Sequence, residues 1–388
     1  MIKAFADLHI HIGQSLDGKA VKITASRSLT LPNILHYARE VKGLSMVGII
    51  DAHSRGVRQD FQTMISGGQL KPLEGGGYQF ANLTVIPGIE QELSLGEGNA
   101  HMLAYFPTLE HMECYIQAIN PKVKNWQLSS QKAYVQVEDW LSAVALGDGI
   151  WLPAHAFTPH KGIYGNCCKS MLDVLPGLPP ALEIGLSADR QMAKSLSELE
   201  HVTLFSNSDA HSLPKIAREY NLLELTESSF TGLAKLVYRK QGQVIANYGL
   251  PPRVGKYHRT YCLVCEKIVS GEPPLLSCPQ CGSSKVVTGV LDRLASIADR
   301  PLSFSSDSRY IYQVPLSDLP GVGPKLYKRL LNTFGTEMAV LHEASREELV
   351  SLAGEKVAEW ILGSRTGKLI FQAGGGGVYG RVVDILSP

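Results

Sequence analysis

Seven short, mostly apolar runs recur at residues 2–8, 46–50, 83–89, 101–106, 150–154, 181–184 and 202–206. Runs of this length without a polar face are what strands buried on both sides require. Between them, residues 31–41, 137–145 and 188–199 carry apolar positions at helical spacing. Alternating strand and helix predicts an α/β fold built on parallel strands. In a barrel of this kind the active site lies at the C-terminal ends of the strands.

The polar residues that end these runs are chemically selective. Asp7, His9, His11, Asp51, Glu90, His155, Glu183 and Asp209 all fall at predicted strand ends, whereas His101 opens its run. A lone histidine at such a place is ordinarily structural. Here His9, His11, His53, His101, His155 and His211, half of the chain's 12 histidines, share the setting. Neutral imidazoles mixed with carboxylates suit Zn, Mn, Fe or Mg. Two such ions roughly 3.5–4 Å apart clamp a phosphoryl group and activate water. A His-x-His pair on a strand places both rings on one face.

Asp7-Leu8-His9-Ile10-His11, Asp51, Glu90, His101, His155 and Ser208-Asp209-Ala210-His211 resemble the motifs of the polymerase-and-histidinol-phosphatase (PHP) superfamily. The resemblance implies a distorted seven-stranded (β/α) barrel over residues 1–252, with a two- or three-ion phosphoesterase site holding Mg, Mn or Zn. His9, His11, Asp51, His53, Glu90, His101, His155, Asp209 and His211 are then the expected ligands. Glu90, Asp189 and Asp209 are the expected catalytic groups, with Glu183 in support. One departure stands out: the superfamily sets a histidine directly after the aspartate of its second motif, but here Ala52 separates Asp51 from His53.

The remaining chain changes the expected substrate. Cys262-x2-Cys265 and Cys278-x2-Cys281, twelve residues apart, have the spacing of a closed tetrahedral zinc site, expected over residues 253–298. Tyr257, His258, Arg259 and Lys285 flank it and face either nucleic acid or solvent. Cys114, Cys167 and Cys168 lack ligand spacing and are expected to be buried. In residues 299–388, Leu319-Pro320-Gly321-Val322-Gly323-Pro324-Lys325 precedes a helical pattern and resembles a helix-hairpin-helix. There Gly321 and Gly323 permit the hairpin, and the helix N-terminus with Lys325 can hold a DNA phosphate. A weaker copy runs from Leu352-Ala353-Gly354-Glu355-Lys356. The run Gly374-Gly375-Gly376-Gly377-Val378-Tyr379-Gly380 reads as a flexible linker.

Charge and hydropathy add little. Residues 253–388 hold 16 Lys and Arg against 13 Asp and Glu, leaving 21 against 23 in residues 1–252. No apolar run approaches the roughly 20 residues of a membrane span. The N-terminal residues lack a signal-peptide pattern. The expected location is the cytoplasm, in association with the nucleoid, with no membrane contact.

A PHP barrel, a four-cysteine zinc module and helix-hairpin-helix elements, in that order, resemble the endonuclease Q family over nearly the whole chain. The resemblance implies a DNA repair endonuclease. It would act on double- or single-stranded DNA, 5′ to deaminated bases (uracil, hypoxanthine, xanthine) and abasic sites, leaving 3′-hydroxyl and 5′-phosphate ends, with the damaged base flipped out. Loops expected near the metal face offer Ser26, Arg27 and Lys71 for a base pocket. Two other readings fit parts of the chain: a PHP phosphatase on a DNA 3′ end or small phosphate ester, and a non-catalytic DNA-binding accessory protein. No motif names a protein partner.

Overall fold

The computed structural model describes residues 1–302, 307–374 and 380–386. The centre of the glycine-rich stretch, residues 375–379, lies outside the described residues. Eleven strands build the first two-thirds of the chain: β1 (Ile2–Ile10), β2 (Met46–Ile49), β3 (Lys71–Pro72), β4 (Tyr78–Phe80), β5 (Leu83–Leu95), β6 (Gly98–Tyr105), β7 (Ile150–Pro153), β8 (Ala181–Glu183), β9 (Thr203–Phe205), β10 (Tyr220–Leu225) and β11 (Gln243–Gly249). Six helices accompany them: α1 (Leu31–His36), α2 (Arg55–Ser66), α3 (Leu109–Ile119), α4 (Val137–Leu146), α5 (Arg190–Ala193) and α6 (Phe230–Val237).

All seven predicted strands form. All of β2 is buried, as its lack of a polar face requires, and β1 from Ala6 to Ile10 is buried with Asp7 and His9 on its inward face. The expected helix at residues 188–199 is shorter, a four-residue α5 followed by a single tight turn at Ser197–Leu199.

Pairing is only partly parallel. β1, β2 and β5 pair in parallel, as do β8 and β9. β6 instead returns antiparallel along β5, and β7 returns antiparallel along β6. This reversal explains the position of His101: with β6 antiparallel, the start of that strand lies at the same end as Glu90 on β5. Among the described residues the backbone ladders do not join β7 to β8, so the ring of strands is not closed by hydrogen bonds there.

A second set of elements completes the chain: β12 (Tyr261–Cys262), β13 (Lys267–Ile268), β14 (Val286–Val287), β15 (Tyr310–Tyr312), β16 (Leu369–Gln372), β17 (Arg381–Ile385), and helices α7 (Val290–Ile297), α8 (Pro324–Phe334), α9 (Arg346–Ala353) and α10 (Glu355–Arg365). β12, β13 and β14 form a small sheet beside the cysteines. α7 sets Val290, Leu291 and Leu294 into the barrel core, and β15 extends the barrel sheet beside β11. The two expected hairpins are present, although the helix preceding the first is reduced to one turn at Leu316–Asp318. Gly321 and Gly354 both adopt φ near +83 to +84°, which favours glycine.

The C-terminal helices dock on the barrel through a buried ion pair, Lys42 Nζ to Glu337 Oε2 at 2.8 Å, both side chains 1% exposed. Glu337 also accepts from Leu316 N–H and the Tyr327 hydroxyl, so the charges sit in a satisfied network. No helix among the described residues is long and apolar enough to cross a membrane.

Candidate active site

Five strands deliver histidines and carboxylates to one point. β1 carries His9 with His11 just past its end, β5 carries Glu90, β6 carries His101, and the turns after β7 and β9 present His155, Asp209 and His211. The parallel register Ile49↔Pro87 brings the end of β2 level with the residues preceding Glu90, and a bridge between Ile10 and Ala210 draws the last motif against the first. His155 (φ 29°) and Asp209 (φ 45°) are held at positive φ, a costly backbone that surrounding structure must impose and that concentrates at functional sites.

Asp209 Oδ1 lies 3.5, 3.3 and 3.4 Å from Nε2 of His9, His11 and His211. Glu90 lies opposite: Oε1 is 2.9 Å from His101 Nδ1 and 3.5 Å from Nε2 of both His9 and His155, while Oε2 is 3.6 Å from His11 Nε2. Three overlapping groups result, His9–His11–Glu90, His11–Asp209–His211 and Glu90–His101–His155, each compact enough to hold a cation. The Nε2 atoms of His9, His11 and His211 are buried without a hydrogen-bond partner. Buried polar atoms are rarely left unpaired, and three of them converging on two carboxylates fit a cation site.

The outward-facing ring nitrogens are anchored. His9 Nδ1 meets Glu183 Oε2 at 2.9 Å, His11 Nδ1 meets Asp51 Oδ2 at 2.9 Å, and His155 Nδ1 meets Thr158 Oγ1 at 3.0 Å. Such partners place the proton on Nδ1 and leave Nε2 as the inward ligand. Electrostatics keeps the acids ionised. Burial disfavours charge on Glu90, but the charges of His101 and Lys22 hold its carboxyl well below the usual range. Burial likewise opposes charge on Asp209, and His9 overrides it. Lys22 Nζ, 3.1 Å from Glu90 Oε2, adds a cation that no motif announced.

Several expected residues are placed elsewhere. Asp51 uses Oδ2 on His11 Nδ1 and the Ile12 N–H (2.8 Å) and so steers a ligand from behind the cluster, while its Oδ1 is buried without a hydrogen-bond partner. His53 is buried, with Nε2 3.2 Å from the Leu128 carbonyl and its ring against Trp126, and belongs to none of the three groups. Its Nδ1 is buried without a hydrogen-bond partner. Asp189 caps α5 by accepting Met192 N–H at 2.8 Å and is held by the Tyr312 hydroxyl at 2.7 Å, outside the cluster. Lys71 sits on β3, paired through β4 to the start of β5 at Thr84 and Val85. Five residues of strand separate Val85 from Glu90, about 17 Å, so Lys71 is at the wrong end of the barrel for a base pocket. Ser26 is close to the site, its N–H donating to the His211 carbonyl at 2.8 Å, with exposed Arg27 beside it.

Beyond the barrel, Cys262 and Cys281 sulfurs are 3.7 Å apart and those of Cys265 and Cys278 are 3.9 Å apart, all four forming one group. Tetrahedral zinc with Zn–S bonds near 2.3 Å spaces its sulfurs by roughly 3.8 Å, so the thiols fit. Gly321 packs against Val357 of the second hairpin, and Lys325 is exposed at the start of α8. Cys167 and Cys168 are buried as expected, while Cys114 is exposed.

No protein-family profile matches the chain. YqxK of Bacillus subtilis (strain 168), an uncharacterized protein, is 43% identical over 388 residues, covering 98% of this chain and all of that protein. The lesion-specific endonuclease PfuEndoQ of Pyrococcus furiosus superposes with a TM-score of 0.82 at 28% identity, over 98% of this chain and 95% of that one. The chain belongs to the endonuclease Q family. An endonuclease Q bound to a 27-mer duplex with an abasic lesion at the active site is equally similar, with a TM-score of 0.81 at 28% identity over 98% and 96% of the chains. As a member of the endonuclease Q family the chain is a metal-dependent endonuclease, and the clustered ligands above are its candidate metal centre.

Proposed function

We propose that this enzyme nicks DNA on the 5′ side of deaminated bases and abasic sites, leaving 3′-hydroxyl and 5′-phosphate ends. The observation that carries the reading is a cavity of about 340 Å³ opening directly onto the metal-ligand cluster. His155, Asp209 and His211 line it together with Arg218, Lys256 and Tyr257. A nucleotide entering there meets cations for its phosphate, a ring for its base and the ligand cluster together.

His9, His11 and Glu90 would hold one ion, and Glu90, His101 and His155 a second. Asp209 and His211 would complete a third position at the mouth. Divalent Mg, Mn or Zn held there supplies charge to the phosphate and acidifies a water. Lys22 adds fixed positive charge beside Glu90. Glu183 and Asp51 keep the imidazoles aimed. Phosphodiester hydrolysis needs no further nucleophile from the chain.

Lesion choice follows from hydrogen-bond polarity. Deamination turns an exocyclic amine into a carbonyl and protonates the neighbouring ring nitrogen. A pocket with one donor and one acceptor at those places admits several lesions and meets cytosine or adenine donor to donor. Extruding the base costs a few kcal/mol, least at mispairs. Tyr257, edge-on to His160 at 5.3 Å between ring centroids, is placed to stack on it. Gly185 (φ 83°) brings backbone to the pocket wall where a Cβ would lie 2.9 Å from that of His155. These residues, with Ser26 and Arg27 on the His211 side, replace Lys71 as the base-pocket set.

In this reading residues 1–252 perform the chemistry. Residues 253–298 hold one structural zinc, and residues 299–388 grip the backbone through Gly321, Gly323 and Lys325, independent of sequence. The test is a labelled duplex with one deoxyuridine, deoxyinosine or abasic site, incubated with protein and Mg²⁺ or Mn²⁺. A single internal nick 5′ of the lesion is expected. Asp209→Asn should abolish the nick while leaving duplex affinity within about threefold. Release of a terminal phosphate, or binding without cleavage at any metal, would overturn the reading.

A further inference from the structure

Behind His9 and Glu183 runs a line of side chains that the chemistry above does not use. Glu183, which holds His9 Nδ1, accepts a hydrogen bond from Asn207 Nδ2 at 2.8 Å. Asn207 Oδ1 accepts from Asn221 Nδ2 at 3.1 Å, and Asn221 Oδ1 accepts from Asn247 Nδ2 at 2.8 Å. Asn247 Oδ1 in turn accepts from Arg190 Nη1 at 3.1 Å. Every member is buried, Arg190 being the most exposed at 8%.

The direction of the line is determined by other bonds. Asn207 Oδ1 also accepts the Leu8 N–H at 3.0 Å. Asn221 accepts Ser206 N–H at 2.9 Å and donates to its carbonyl at 2.8 Å, while Asn247 Nδ2 donates to the Leu204 carbonyl at 3.0 Å. Rotating any amide by half a turn would set donor against donor. The result is a one-way chain from the Arg190 guanidinium to the Glu183 carboxylate, each donor pointing toward His9. Part of its task is structural: β9 pairs only with β8, and these asparagines satisfy its other edge. Satisfying an edge, however, requires no common direction. A polarised chain in a low-dielectric interior strengthens each successive bond and holds the Glu183 carboxylate in one orientation. An oriented Glu183 in turn keeps the His9 proton on Nδ1 and the Nε2 lone pair toward the cluster.

We propose that Arg190, Asn247 and Asn221 are positioning residues of the metal centre, setting the affinity of the ion that His9 holds through Asn207 and Glu183. The inference rests on the reading of the His9 cluster as that centre. Arg190 and Asn247 touch neither ion nor DNA in this scheme. Their variants should therefore change metal binding and turnover without changing DNA affinity.

The experiment strips the full chain with chelator and titrates Mn²⁺ by calorimetry. Melting curves and duplex affinity are recorded in parallel. Asn247→Asp keeps an acceptor for Arg190 but loses the donor to Asn221. It should weaken Mn²⁺ binding about 10-fold, the low end of the effect of removing a ligand's outer partner. kcat should fall in proportion, with KM for duplex within about twofold. Arg190→Gln should act in the same direction, and Arg190→Lys, which keeps charge and donor, should restore affinity. Unchanged Mn²⁺ affinity in folded Asn247→Asp and Arg190→Gln would overturn the proposal. Should Asn247→Asp fail to fold, Arg190→Gln, at the far end of the line, decides it. A wild-type chain that bound no Mn²⁺ would overturn the metal-centre reading itself, a result distinct from equal binding by wild type and variants.

Discussion

The carboxylate of Asp51 sits 2.9 Å from Nδ1 of His11, with its other contact on the Ile12 N–H. Burial raises the cost of this charge, yet His11 outweighs it and draws the Asp51 carboxyl down to about 2. The residue therefore stays ionised and aims His11 Nε2 at Asp209. Asp51→Asn keeps the shape but loses the charge. It should lower metal affinity and nicking about 10- to 100-fold, with rates partly recovered at higher Mn²⁺. Full activity at limiting metal would show that Asp51 does not steer His11.

His53 differs from its neighbours in the motif. It packs on Trp126 and meets the Leu128 carbonyl, so its loss should be felt by the fold rather than by the ions. For His53→Ala the expected cost is about 1–3 kcal/mol in denaturant unfolding, with Mn²⁺ stoichiometry unchanged and nicking at saturating metal within about threefold. Loss of one bound ion per chain would instead make His53 a ligand.

Glu219 is fully buried, and burial pushes its carboxyl up to about 8 despite the hydrogen bond it accepts from Leu250 N–H. The folded state therefore holds a proton that the unfolded chain releases near the ordinary glutamate value. Its stabilising effect is complete below about pH 4.5 and is lost as pH rises toward 8. Glu219→Gln removes this titration. The stability difference, variant minus wild type, should grow by about 1 kcal/mol or more between pH 5 and pH 8. Parallel pH profiles for the two proteins would contradict a buried neutral Glu219.

Gly321 has φ 84°, and a Cβ there would lie 3.1 Å from Val357 Cγ2. Gly321→Ala strains the first hairpin by about 1–2 kcal/mol and tilts it against the second. Duplex affinity should fall several-fold with a shallower salt dependence, while Mn²⁺ binding stays as in wild type. Filter binding across a salt series measures both; an unchanged slope would remove the hairpin from the DNA interface.

Much of this architecture can be read locally. Buried strands need apolar runs, and the residues ending those runs must face one end of the barrel. Asp209, His9, His11 and Glu90 were therefore legible before any coordinates. Four cysteines at close spacing are equally local, because one ion must draw them together. Lys22 and Tyr257 carry no such signal: one is a lysine in a loop, the other a tyrosine ahead of the cysteines, and folding alone brings Lys22 to Glu90 and Tyr257 to the cavity.

The sequence by itself determined seven of the strands and the residue types that cluster at their ends, since these depend on side-chain type and short-range spacing. Tertiary structure alone decided which carboxylates join the candidate metal cluster. Asp51 occupies a strand-end position as Asp209 does, yet it is turned toward His11, and Asp189 caps α5. It also decided that β6 runs antiparallel, which brings His101 to Glu90, and that Arg190, three asparagines and Glu183 join into one line behind His9. Strand direction and hydrogen-bond partners far apart in the chain depend on packing across the barrel, for which no local pattern of residues stands in.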